Sequence, residues 1–234
     1  VACAHRHASF TDGVHAPVTS RRVSWRLFRE APLRTFFEQL RVQRLDDHRF
    51  YHQSRINQSL HFVSALCFIA SYGLLFVDPA SAALLAWGVS MTTRQAGHFF
   101  FEPRGYDEIN GVTDAYKEAV KVGYNVRRKV VLMAVWALVP AALAVSPSLL
   151  GTIEPATDVP GYLHDVGIAW LALAAAGIAL RVFQLWVERD LFTGVVWVTK
   201  IATDPFVDAY LYHKAPFALM RGELLDPMYD LRRR

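Results

Sequence analysis

Hydrophobic positions in this chain gather into blocks, and charged stretches separate them. Residues 62–78, 80–100, 129–147 and 165–187 form four apolar runs. Each is close to the roughly 20 residues that a helix rising about 1.5 Å per residue needs to cross a hydrocarbon core. The runs are too long and too rich in alanine and leucine for barrel strands, and an open sheet would leave backbone groups unpaired in lipid. The pattern predicts an all-α, polytopic membrane protein with four transmembrane helices. The first two runs meet at a corner, Asp78-Pro79, and form an antiparallel hairpin that returns His61 and His98 to one face of the bilayer.

Shorter patterns fill in the rest. Over 33–45, Leu33, Phe36, Phe37 and Leu40 share a helical face ringed by Arg34, Glu38, Arg41 and Arg44. This predicts an amphipathic helix in the headgroup plane, or one packed on the protein's own cytosolic segments. His52 and His61 sit nine residues apart, which on one unbroken helix is about half a turn out of phase. For them to meet, the helix must break. We expect the in-plane helix to end near Gln53 and a membrane helix to begin near Asn57, capped by Ser54 or Asn57. Residues 103–128 read as a charged connector, and Pro140 as a kink in the third span. Leu191–Ala202 is apolar but too short to span, and a polar tail begins at Asp204-Pro205. The expected organisation is an irregular basic N-terminus over 1–32, an in-plane helix over 33–53, a membrane domain over 54–190, and a short apolar segment with a basic tail over 191–234. No cleavable signal peptide is expected before the first span.

Charge sets the orientation. Arginine and lysine crowd residues 1–61, the connector and the tail, whereas the Asp78 corner and the loop 148–164 contain neither. Positively charged loops stay cytoplasmic, so both termini and the His61/His98 end of the hairpin face the cytosol. The expected location is a bacterial inner membrane or an endoplasmic-reticulum membrane. The net charge of +4 is topogenic in this reading and gives no nucleic-acid footprint. The lipid bilayer is the partner it implies, and a homo-oligomer or membrane partner stays open. Two cysteines, Cys3 and Cys67, cannot build a disulfide framework or a zinc knuckle.

The chain contains no phosphate loop, nucleophile elbow or dinucleotide fingerprint. Its chemical signal is histidine: His48, His52, His61, His98 and His213 all fall at the expected cytoplasmic boundary. Neutral imidazoles suit Fe(II), Zn and Cu, with carboxylates as further ligands or orienting partners. Arg94, His98 and Glu102 line one stripe, and Arg94 or Arg55 is a candidate to hold a substrate carboxylate.

Phe50-Tyr51-His52 followed by Asn57 and His61, then Gly97-His98 with Phe101-Glu102, resembles the two signature stretches of the membrane 2-hydroxy fatty acid dioxygenase family. The founding member of that family is a fungal endoplasmic-reticulum enzyme of fatty-acid alpha-oxidation. The resemblance covers about residues 46–105. It implies Fe(II)-dependent removal of one carbon from a 2-hydroxy fatty acid or similar amphiphilic lipid, using dioxygen. By motif match, His52, His61 and His98 carry the iron, Glu102 is a fourth ligand or supports one, and Asn57 orients a ligand. Two other classes remain open: a non-catalytic membrane scaffold or lipid-binding subunit, and a di-iron lipid hydroxylase. The second lacks the expected His-x-x-His-His boxes.

Overall fold

A computed structural model describes residues 35–124 and 126–228. The expectations for residues 1–32, for Leu33 and Arg34, and for the terminal arginines lie outside the described residues. Those described are helical, with isolated bridges and no strand among them.

Helix α1 (Phe36–Tyr51) opens with a capping box: Thr35 accepts from the Glu38 backbone N–H, and the Glu38 carboxylate accepts from the Thr35 N–H. Together these satisfy two orphan donors of the first turn. The chain then breaks at His52–Ser54, and α2 (Arg55–Leu74) starts under the Ser54 cap. The expected break is therefore present, and α1 begins and ends slightly inside the 33–53 expected for it. Asp78 caps α3 (Pro79–Leu85), where Pro79 occupies the first turn, a position that needs no N–H. From there the chain stays helical to Phe100: α3 passes through a π-helical turn (Ala86–Met91) into α4 (Thr92–Phe100). The hydroxyl of Thr92 donates to the Trp87 carbonyl five residues back, at 3.1 Å, in that widened turn. Such turns are rare and shift the register of everything after them, here Arg94 and His98.

The connector contains one short helix, α5 (Asp114–Val120), capped by Thr113. Two helices follow that are long and apolar enough to cross a membrane: α6 (Val126–Val145) and α7 (Val159–Glu188). Pro140 cannot donate to Trp136 one turn back, and the freed carbonyl is recovered by the indole N–H of Trp170 at 3.0 Å. Trp136 stacks on Trp170 and Trp87, with ring centroids 5.2 and 6.0 Å away, at the centre of the apolar core formed by α3, the π turn, α6 and α7. At Gly167 a Cβ would lie 2.5 Å from the Ala80 carbonyl oxygen, so α3 and α7 approach backbone to backbone there. Small residues at such crossings permit the approach, as the alanine-rich fourth block suggests.

The largest departure from expectation comes next. The apolar segment 191–202 is neither short nor followed by a polar tail: α8 (Leu191–Tyr212) is one 22-residue helix that runs through Pro205. It is capped by Asp190 and packs on α1, α2 and α7. Lys200, Asp204, Asp208 and Tyr212 recur every fourth residue along it, hence on one face, and all four are buried. The polarity that marked this region as a tail is instead the inward face of the helix. After α9 (Ala215–Met220), the strand-like segment Leu224–Asp226 crosses the α1–α2 break. There the Arg55 N–H donates to Leu224 O at 2.9 Å, and the Asp226 N–H donates to Gln53 O at 2.7 Å.

Candidate metal centre

The break between α1 and α2, the end of α4 and the inner face of α8 converge on three imidazoles. One ring nitrogen from each of His52, His61 and His98 lies within 4.8 Å of the other two. The rings are buried, with residue exposures of 1%, 0% and 7%. Nε2 of His52 is 3.2 Å from Nε2 of His61.

Each ring is held from outside the cluster or oriented by the fold. Nδ1 of His98 is 2.7 Å from a Glu102 carboxylate oxygen. This partner fixes Nδ1–H as the donor and leaves Nε2 with its lone pair. Nδ1 of His61 faces Asp208 at 3.5 Å. His52 closes the C-terminal end of α1, where carbonyls have no intrahelical donors. Two amides from the first turn of α2 supply them: Asn57 Nδ2 donates to Tyr51 O and Gln58 Nε2 to His52 O, both at 2.8 Å. Gln58 also donates to Asp226 at 2.9 Å, which ties the His52 backbone to the crossing segment. Asn57 therefore acts on the backbone that carries His52 and makes no hydrogen bond to an imidazole.

Asn57 also sets the distance between α2 and α4. A Cβ at Gly97 would collide with Asn57 Oδ1 and would sit 3.4 Å from His61 Cδ2. Gly97→Ala is expected to force α2 and α4 apart, at a cost of about 1–3 kcal/mol. Comparing the unfolding of Gly97→Ala with that of Asn57→Ala and of Gly97→Ala/Asn57→Ala checks this: the pair should couple, and independent effects would contradict the contact.

Behind the rings lies a network of charges. Arg94, 16% exposed at its side chain, pairs with Asp208 at 2.8 Å and approaches Asp204 at 3.9 Å. Lys200 bridges Asp204 to Asp47 of α1. Arg44 also reaches Asp204, at 3.5 Å, and Thr203. Burial alone disfavours a charge on Asp208, but Arg94 outweighs it and holds the carboxyl well below the usual carboxylate range. Asp47 is likewise held low against burial by Lys200. Burial lifts the Glu102 carboxyl, and Lys121 at 3.3 Å offsets only part of that.

Burial drives the His52 imidazole well below its ordinary value of 6.5, and nearby His61 pushes in the same direction. His48 is lowered by burial as well. Both rings charge in the fold only at a lower pH than in the unfolded chain, which takes up protons as pH drops below about 6.5. Stability is therefore flat above that pH and falls below it. The raised Glu102 and Asp204 carboxyls act in the opposite sense, and the larger displacement of His52 decides the balance. Without added metal, the thermal midpoint is expected to fall between pH 7.5 and 5.5; a midpoint that rises would contradict neutral buried rings.

The two arginines proposed for a substrate carboxylate are placed elsewhere. Arg94 is engaged by Asp208 and Asp204, and Arg55 by Asp226 and Gln58, both at 2.9 Å. Neither lines the groove of about 390 Å³ that reaches His98 and Glu102 from the connector side. His213 bonds the Tyr210 carbonyl and is exposed. His48 stays at the margin: its Nδ1 is 2.6 Å from the hydroxyl of Tyr212, whose ring centroid is 5.7 Å from that of His52. Sequence reading missed Asp208, Tyr212, Asp47 and Lys200. The four-residue recurrence from Lys200 to Tyr212 was the available signal.

No family model, curated protein or solved structure matches the chain.

The donor set fits a divalent transition metal. Three imidazoles converge, and carboxylates stand behind two of them. His52, His61 and His98 would hold the ion. Glu102, through Nδ1 of His98, is an orienting partner.

Proposed function

We propose that this chain is a membrane dioxygenase dependent on Fe(II), which shortens a 2-hydroxy fatty acid or similar amphiphile by one carbon. The observation that carries the proposal is the convergence of His52, His61 and His98 at the end of the α2–α4 hairpin. The residues that build it are also those by which the chain resembles the lipid dioxygenases. In the reaction, R–CH(OH)–COOH and O₂ give R–COOH, CO₂ and H₂O. The C1–C2 bond breaks, the carbons are oxidised by four electrons in total, and dioxygen is reduced by the same four.

Bound iron would supply a site where dioxygen and the substrate oxygens meet. The protein does the rest. Glu102 and Asp208 face Nδ1 of His98 and of His61 and favour the tautomer that leaves Nε2 for the ion. Asn57 and Gln58 fix the backbone beside and at His52. Burial of all three rings excludes bulk water from one side, and the groove at His98 leaves the other side accessible.

In this reading α2 and the α3–α4 helix span the bilayer together with α6 and α7. Both termini are cytoplasmic, in a bacterial inner membrane or the endoplasmic reticulum. Large exposed apolar residues on the hairpin support this: Phe76 and Val77 at its corner are 90% and 84% exposed, and Val63 and Leu66 are about half exposed. Such surface suits lipid better than water.

The test is product analysis with purified protein reconstituted with Fe(II) in detergent. Incubated with 2-hydroxypalmitate and ¹⁸O₂, it should yield the fifteen-carbon acid with label incorporated. An iron-loaded preparation that leaves the substrate intact contradicts the proposal.

A further inference from the structure

The groove beside His98 carries two guanidiniums that no carboxylate pairs within ion-pair distance among the described residues. Its walls are Tyr51 at the end of α1, Pro103 and Arg104 of the connector, Asp114, Lys117 and Glu118 of α5, and Arg127 at the start of α6. Every carboxylate there is already matched. Glu102 meets His98 and Lys121, Asp114 meets Lys117 at 2.8 Å, and Glu118 meets Lys121 at 3.3 Å. The two guanidiniums are not. Arg104 donates to the Phe99 carbonyl and has no carboxylate within ion-pair distance among the described residues; Arg127 has none either. Both are exposed.

Arg127 also begins a stripe. Val130, Val131, Ala134, Val135 and Leu138 follow it at helical spacing on the same face of α6. The large members are solvent-accessible: Val130 53%, Val131 64%, Val135 44% and Leu138 62%. A mouth with two guanidiniums outside any ion pair, at the threshold of the imidazole cluster, thus continues into an apolar track. A single chain with a small planar anion fits both parts, since a guanidinium pairs with a carboxylate through two parallel N–H bonds.

We infer that Arg104 and Arg127 form the carboxylate receptor of this protein, and that the occupant is a long-chain monocarboxylate whose tail lies along the Val130–Leu138 face of α6. This rests on the metal-site reading only for its purpose, because the binding itself needs no metal. It assigns the role once expected of Arg94 and Arg55 to two cations that stand in no ion pair among the described residues.

The test uses cis-parinaric acid and its methyl ester, titrated into purified full-length protein in neutral detergent, with protein-free micelles subtracted, before and after treatment with a chelator. Wild type should bind the acid at least about tenfold more tightly than the ester, as a charge-assisted pair would give. Arg104→Gln/Arg127→Gln should bind acid and ester alike while keeping its helicity and metal content. Equal binding of acid and ester by wild type, or an acid preference that survives in the double variant, overturns the inference. So does displacement of the acid by phosphatidylglycerol as effectively as by palmitate. Acid preference that persists in chelator-treated protein, and is lost in the double variant, supports the receptor even if the imidazole cluster proves to hold no iron.

Discussion

Replacing His61 and His98 together by glutamine is expected to reduce the iron of purified, iron-loaded protein at least about tenfold and to abolish turnover, with helical content unchanged. Glutamine is the informative replacement. Both rings are buried, so alanine would open cavities and add a packing defect to the loss of donors. Glutamine keeps most of the volume and a polar end but removes the imidazole nitrogens. One imidazole, His52, then remains of the cluster, too few to retain a divalent ion against a chelator. Metal analysis alongside circular dichroism separates loss of ligands from loss of fold. Iron bound at wild-type stoichiometry by a folded double variant would remove these residues from any metal site.

Arg94→Met carries the largest stability cost expected of a single substitution here. Methionine preserves the aliphatic stem but leaves Asp208 charged, buried and facing only His61 at 3.5 Å. Asp204 still has Lys200 and Arg44, so the uncompensated charge is Asp208. Removing one partner of such a pair costs roughly 3–5 kcal/mol, which for a chain of this size lowers the unfolding midpoint by roughly 6–20 °C. Arg94→Met/Asp208→Asn removes both charges and should recover a substantial part of that loss. A single-variant cost below about 1 kcal/mol would mean that the pair is solvated rather than buried.

Much of this arrangement was readable before any coordinates. The corner at Asp78-Pro79 follows from proline's fitness for a first helical turn and aspartate's for a cap. The break before α2 follows from arithmetic, because histidines nine apart cannot share a face of one helix. The cap at Ser54 follows from the same reasoning. What escaped depends on distant partners. Arg94 finds its carboxylate 114 residues further along, so a local reading sees a lone cation near a membrane boundary. Asp204-Pro205 resembles a turn because proline disfavours helix before it, yet tertiary packing carries α8 straight through. The π turn ahead of Arg94 leaves no mark in hydropathy at all. Even so, the recurrence of Lys200, Asp204, Asp208 and Tyr212 was present in the sequence; the apolar stretch before them drew the boundary in the wrong place.

The segment that crosses the α1–α2 break has a consequence for biosynthesis. A nascent chain carries all three imidazoles once about residue 98 has been translated, but the carboxylate of Asp226 that steadies Gln58, and the backbone pairing at Gln53 and Arg55, come from the last stretch described. Asp208, which stands behind His61, is also late. The ligands are thus made early and their supports much later, so a cation captured in between meets a loose site, and secure loading waits until the chain through Asp226 has emerged.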